Sequence, residues 1–342
     1  MTRALISEIE LQKGFLTEIP KTLYFGGGTP SILNTPQLEA IIGKAREVFD
    51  TSMVKEITLE ANPEDVDQAK VKSWQDLGIN RISLGIQTFN EKQLNSLNRV
   101  HTGNQAIKAI EILQTAGMNN ITVDLIYGLP AQQLPAWLKN IKTLIEYEIP
   151  HISAYALTIE NKTVFGHQQA KGLLKVPPDE IYEEQYLKLC DSLKQAGYEH
   201  YEVSNFAHKG FRSRHNQLYW QGAPYLGIGP GAHSFDGRNR FFNRSNNADY
   251  IRSIKAGKIP CEAEVLSPEE QYNEYLLTRL RTREGINLSV IEKKFKRNLR
   301  KEFHDFFERC IDRNLAYLKK DDFALTEAGF FVSDAIILEL MK

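Results

Sequence analysis

From residue 22 to residue 158 the chain alternates short apolar runs with longer amphipathic ones, five times over. TLYF, EITLEA, NRISLGIQTF, ITVDLIY and HISAYALTIE read as strands at 22–26, 56–61, 81–87, 121–127 and 151–158, bounded by Gly, Pro and Asn. Between them the 3.6-residue period predicts helices over 36–50, 64–77, 91–97, 104–116 and 134–147, with Gly78 and Gly117 as stops. Strands that alternate with helices in this way pair in parallel, as a barrel or an open α/β sheet. Polar residues decide between the two. They recur at or just past the C-terminal strand ends, at Gly26–Thr29, Glu60, Gln87, Asp124 and Tyr155, in steps from Thr29 of 31, 27, 37 and 31 residues. Loops at that end of a barrel converge on one mouth, whereas a doubly wound sheet places its site at a single switch point. The spacing predicts a barrel or partial barrel. A helix over 2–18 comes before the first strand, although in a βα repeat a helix follows one. A leading strand is therefore missing from the repeat, and strand 22–26 is expected to present an unpaired edge.

Beyond residue 160 the pattern changes. A helix over 179–196 stops at Gly197, and YEVSNFA reads as one more strand. A stretch dense in Gly, aromatics and His follows, HNQLYWQGAPYLGIGPGAHSF at 215–235. From about residue 265 two or three helices and a small hairpin make a winged-helix pattern. At 342 residues the chain exceeds one ordinary core, and 42% hydrophobic residues suffice to fill a large one. The expected organisation is a partial barrel over 1–200, a covering connection over 201–262 and a winged-helix-like α+β unit over 263–342. No recognition helix is basic, Lys plus Arg (42) balances Asp plus Glu (43), and no block of like charge stands out. Nucleic-acid and membrane-surface roles are therefore not expected. No apolar run approaches the roughly 18 residues of a membrane span, and the N-terminus does not resemble a secretory signal, so a cytoplasmic protein is expected.

Six polar positions and one glycine turn carry the chemistry. Gly26-Gly27-Gly28-Thr29-Pro30 directly after a strand lets backbone amides approach a ligand closely, but matches neither the dinucleotide fingerprint nor a P-loop. Glu60 can accept from ribose hydroxyls or an ammonium. Gln87 with Arg99 suits a carboxylate, which a guanidinium binds in bidentate fashion. Asp124 sits inside an apolar strand, where an unpaired carboxylate is costly unless it faces a ligand. These residues together suit an aminoacyl-like nucleoside. His215 and His233 are 18 residues apart, which is no zinc spacing, and their default role is a packed, hydrogen-bonded imidazole. Tyr219, Trp220, Tyr225 and Phe235 around them favour a flat ligand such as a porphyrin, with a histidine on haem iron. Cys190, Cys261 and Cys310, separated by 71 and 49 residues, form no CxxC or CxxxCxxC motif and no disulfide framework. No lysine, metal cluster or carboxylate pair has a catalytic arrangement, so no catalytic residue is assigned.

YFGGGTPSIL, LEANPE, GINRISLGIQTF followed by LNRVH, VDLIYGLP, HISAYALTIE, YEVSNFA, HNQLYW and GIGPGAHSF resemble, in order, the motifs of the anaerobic coproporphyrinogen III oxidase family of radical S-adenosylmethionine (SAM) proteins. HNQLYW points to its heme-chaperone branch, HemW, over the true oxidase. The resemblance implies a partial (β/α)6 barrel without its first strand, closed by a C-terminal domain. It implies SAM contacts at Gly27, Gly28, Thr29, Glu60, Gln87, Arg99 and Asp124, and places His215 in the motif associated with heme. Heme and heme-accepting proteins are the implied partners. Oxidative decarboxylation of coproporphyrinogen III propionates is the alternative activity. The family's CxxxCxxC loop, whose thiolates hold a [4Fe–4S] cluster, has no counterpart here. Met1 is accordingly expected to be an internal methionine of a longer protein, and the chain as written is not expected to bind the cluster or cleave SAM reductively.

Overall fold

The computed structural model describes residues 1–160, 163–172, 174 and 176–342. Its central layer is a curled seven-stranded sheet in the order β1-β2-β3-β4-β5-β7-β6. The strands β1 (Thr22–Phe25), β2 (Glu56–Ala61), β3 (Arg81–Gln87), β4 (Ile121–Tyr127) and β5 (His151–Ala156) run parallel. At the far side β6 (Glu199–Glu202) and β7 (Asn205–Ala207) form a hairpin, with β7 antiparallel to β5. The partial barrel and the winged-helix unit read from the sequence are present. YEVSNFA, expected as one strand, turns back at Val203-Ser204, so a hairpin fills the sixth position. β1 is an edge of the sheet, as the opening helix implied.

Along the parallel strands the side chains alternate between two environments. Ile57, Leu59, Ile82, Leu84, Val123, Leu125, Ile152 and Ala154 share one apolar core with Leu38, Ile42, Trp74, Ile110, Leu113, Trp137 and Leu144 of the covering helices. Each aliphatic chain buried there contributes about 1.5–3 kcal/mol, which fixes the register, because a slip of one residue would exchange the two faces. Most of the intervening residues are polar, and several bond one another. Arg81, 1% exposed, donates to Thr122 Oγ1 at 2.7 Å and Asn120 Oδ1 at 2.8 Å, and Ser83 donates to Asp124 Oδ2 at 3.2 Å. Barrel bores are usually filled with branched apolar side chains. A polar bore instead supplies donors and acceptors.

The covering helices start at side-chain caps. Asn34 with Gln37, and Thr102 with Gln105, form capping boxes for Thr35–Val48 and Gly103–Thr115. The helix expected over 64–77 is a short 3₁₀ turn, Pro63–Asp65, followed by Gln68–Asp76, because the Asp67 side chain accepts from Lys70 N and starts the helix there. The first helix stops at Leu11 rather than 18. Beyond its end Phe15 packs edge-on against Phe241, with ring centroids 5.3 Å apart.

Two elements of the aromatic stretch were not expected. The helix Arg214–Trp220 packs against β1. A three-stranded antiparallel sheet, ordered β10-β9-β8, follows from β8 (His233–Phe235), β9 (Asn239–Asn243) and β10 (Cys261–Val265). In the winged-helix unit β11 (Ile286–Asn287), β12 (Ala316–Lys319) and β13 (Asp322–Leu325) are ordered β11-β13-β12, with helices that include Pro268–Arg279, His304–Asp312 and Ser333–Leu340. The opening helix is tied down by Glu8, which is fully buried and accepts from Tyr250 Oη at 2.5 Å, Asn243 Nδ2 at 2.6 Å and Gly229 N at 2.7 Å. Among the described residues no helix is long and apolar enough to cross a membrane.

Candidate functional site

At the C-terminal ends of the parallel strands the structure gathers the predicted polar residues. Gly26 has no room for a side chain: a Cβ there would lie 2.5 Å from both Glu60 Oε1 and the Tyr24 ring. Gly27 takes a positive φ of 76°, and a Cβ on Gly27 or Gly28 would meet nothing within 4 Å, so these peptides face open space. Thr29 leads into the 3₁₀ turn Pro30–Ile32. Tyr24 Oη donates to Glu60 Oε1 at 2.8 Å. Burial raises the Glu60 carboxyl above the usual range, against hydrogen bonds from Tyr24 and the Gly27 amide. Burial likewise pushes Asp124 up to about 6, opposed by Ser153 and Ser83, and the nearby Glu60 adds to the rise. Two buried carboxyls at one mouth, one of them raised further by the other, call for a ligand bearing positive charge or hydroxyl donors.

β3 ends in a bulge between Leu84 and Gln87, where Gln87 takes a φ of 67°. This strained residue turns the chain at the mouth. Arg99 Nη1 donates to Asn62 Oδ1 at 3.2 Å. A Cβ on Gly85 would lie 3.1 Å from Gln87 Nε2 and 3.6 Å from that same Asn62 oxygen, so Gln87, Arg99 and Asn62 converge on one spot. Asn62, which lies in the LEANPE motif, was not among the expected contacts.

Beside the mouth lies a cavity of about 670 Å³ that shares Tyr24 and Tyr155 with it and is also lined by Glu202, His215, Trp220 and Arg281. His215 is held from three directions. Its ring stacks on Tyr24 with centroids 4.5 Å apart and planes 25° from parallel. Its Nδ1 lies 3.2 Å from Thr22 Oγ1. The backbone N–H groups of Arg214 and His215 donate to Glu56 at 3.0 Å each, and Ser213 caps the short helix through Asn216 N. Burial lowers the His215 pKa, with Glu56 opposing, so the imidazole is neutral near pH 7. That is the form able to ligate a metal. Tyr219 and Trp220 lie edge-to-face at 5.3 Å on the same helix, with Tyr225 5.8 Å from Tyr219 and Phe235 6.3 Å from Tyr225. His233 is exposed, sits beside Phe242 at 5.9 Å and does not line this cavity.

The thiols do not meet. Cys190 and Cys310 are buried on separate helices and Cys261 is exposed at the start of β10. Among the described residues no group of three or more His, Cys, Asp or Glu could hold a metal ion. The described residues therefore offer no clustered thiolates that fit a [4Fe–4S] cluster.

The curled half-barrel sheet, with a glycine turn and acidic residues at its mouth, is a radical SAM fold, here followed by a separate C-terminal domain. The family model of the Radical SAM superfamily matches residues 7–144, and that of the HemN C-terminal domain matches 266–332. The solved structure of Escherichia coli coproporphyrinogen III oxidase, HemN, superposes with a TM-score of 0.82 at 20% identity, covering 98% of this chain and 81% of that one. "Heme chaperone HemW" of Lactococcus lactis is 37% identical over 95% of this chain and 85% of its own length. The Bacillus subtilis protein of the same name is 32% identical over 92% and 84%. The chain belongs to the HemW family.

Proposed function

We propose that this chain binds heme in the 670 Å³ cavity, through His215, and passes it to haem proteins, with SAM held at the neighbouring mouth. The observation that carries the reading is the setting of His215: neutral by burial, braced by Tyr24, Thr22 and Glu56, and opening on a cavity walled by tyrosines and a tryptophan. The volume falls within the roughly 300–1,000 Å³ of small-molecule sites. In the tautomer that donates Nδ1–H to Thr22, the lone pair lies on Nε2, which would be the atom to ligate heme iron. Because the imidazole is neutral before binding, iron ligation near pH 7 displaces no proton from it.

SAM fits the mouth. The exposed peptides of Gly27 and Gly28 with Thr29 offer close backbone contacts. Glu60 and Asp124 accept from hydroxyl and ammonium groups, and Gln87 with Arg99 faces the carboxylate. In this superfamily SAM supplies a 5′-deoxyadenosyl radical; the residues named here bind and orient it.

Hemin titrated into the chain is expected to give a shifted Soret band, and His215→Ala is expected to remove most of that shift. An unchanged spectrum in the variant sinks the assignment. Turnover of coproporphyrinogen III by the purified chain would overturn the chaperone reading in favour of decarboxylation.

A further inference from the structure

Residues 281–283 run alongside β6. Val203 N donates to Arg281 O at 2.8 Å, Arg283 N donates to Tyr201 O at 3.0 Å, and Glu202 with Thr282 forms an antiparallel bridge. This pairing carries Arg281 from the winged-helix unit onto the end of the half-barrel and holds its backbone there. Its side chain lines the same cavity as His215 and is the one Lys or Arg to do so among the described residues. The guanidinium is 30% exposed, and its Nη2 donates to Asp334 Oδ1 at 2.7 Å. Asp334 itself is 84% exposed, and an ion pair with so exposed a partner is weakly held. A carboxylate arriving in the cavity can take its place, and a planar guanidinium binds carboxylates in bidentate fashion.

Glu202 stands on the same wall, 1% exposed. Asn205 Nδ2 donates to its Oε1, its Oε2 makes no hydrogen bond of good geometry, and the nearby Ser204 amide and Trp220 indole only partly offset its burial. Burial pushes this carboxyl up to about 7, so at and below neutral pH much of it carries a proton that a second carboxylate could accept. One guanidinium with a displaceable partner and one buried carboxyl with an oxygen short of a well-formed hydrogen bond make a receptor for acids rather than for cations.

We propose that Arg281 is the anchor for ligand carboxylates, displacing Asp334, so that the cavity selects planar ligands with free carboxylates over their uncharged esters. The inference rests on the heme reading, in which those carboxylates are the propionates. Hemin and hemin dimethyl ester are the probes, titrated by absorbance into the wild type, R281M, D334N and H215A. The wild type is expected to prefer hemin. R281M is expected to lose about tenfold in hemin affinity, the worth of one charge-assisted contact, with ester affinity unchanged. D334N is expected to tighten hemin a few-fold and not the ester, which a folding defect cannot imitate. A shift of the hemin-to-ester ratio in the stated direction in either variant supports the anchor, and a ratio equal to wild type in both overturns it. Failure of the heme-ligand reading looks different: H215A would keep the Soret shift for both probes while the R281M and D334N ratios still report on Arg281.

Discussion

The imidazole of His215 lies stacked on the ring of Tyr24 at 4.5 Å, and the hydroxyl of that same tyrosine donates to Glu60 at 2.8 Å. One side chain thus joins the proposed heme ligand to a proposed SAM contact. Tyr24→Phe removes only the donor. Glu60 keeps the Gly27 amide, so the expected loss of stability is about 1 kcal/mol by urea denaturation, with the hemin spectrum unchanged. Tyr24→Ala also removes the ring, and hemin affinity is expected to fall about 3- to 10-fold, as for other lost aromatic pairs. Equal hemin affinity in the two variants would show that the stack does not hold His215.

Asp124, pushed up to about 6 by burial, is ionised above that pH and neutral below it. SAM carries a sulfonium and an ammonium, so it favours the ionised form. Its affinity is therefore expected to fall as pH drops from 7 through 6, and to be nearly flat over that range in Asp124→Asn. Near pH 7.5 the variant is expected to bind about tenfold more weakly, the worth of one charge-assisted hydrogen bond. Calorimetry at pH 5.5 and 7.5 checks both statements, and parallel losses in the two proteins would count against Asp124 as a contact.

Asp124 was legible because a carboxylate in ITVDLIY breaks an apolar run, and the barrel was legible because five strands kept that period. What escaped the sequence was everything set by long-range partners. The Arg214–Trp220 helix is only seven residues long and has no apolar stripe; it forms because Glu56, 158 residues upstream of Arg214, accepts its first amides. Arg281 carries no signal at all, since its place depends on pairing with residues 201–203. The strand β10 alternates as CEAEV, but it is only five residues long and both of its faces meet solvent, so no buried face marks it. Tyr24 could have been found, because in TLYF it falls on the same side as Thr22, opposite Leu23 and Phe25.

Glu8 fastens the opening helix to three distant segments at once, through Tyr250, Asn243 and the amide of Gly229. Glu8→Ala leaves three buried donors without an acceptor, each costing about 1–3 kcal/mol. A loss of roughly 3 kcal/mol or more is expected from the urea midpoint. Glu8→Gln keeps an acceptor oxygen and is expected to lose clearly less. Equal losses would mean that packing of the helix, rather than the carboxylate, ties it down.

Glu202 links stability to pH. Burial raises its carboxyl to about 7 in the folded protein, from the ordinary 4.5. Below pH 4.5 it is protonated whether the chain is folded or not. Between 4.5 and 7 the unfolded chain gives up the proton first, so stability drains away as pH rises and levels off above 7, by about 3 kcal/mol for this group alone. Asp124 acts in the same direction, whereas His200, held down to about 4 by burial, adds stability as pH rises from 4 toward 6.5. The slope of the wild type therefore mixes opposing groups, and the comparison with Glu202→Gln isolates one of them. The variant cannot ionise, so its stability relative to wild type is expected to improve by about 2.5 kcal/mol between pH 5 and pH 8. Urea denaturation of both proteins at the two pH values measures that difference, and a constant gap would place the Glu202 carboxyl near its ordinary range.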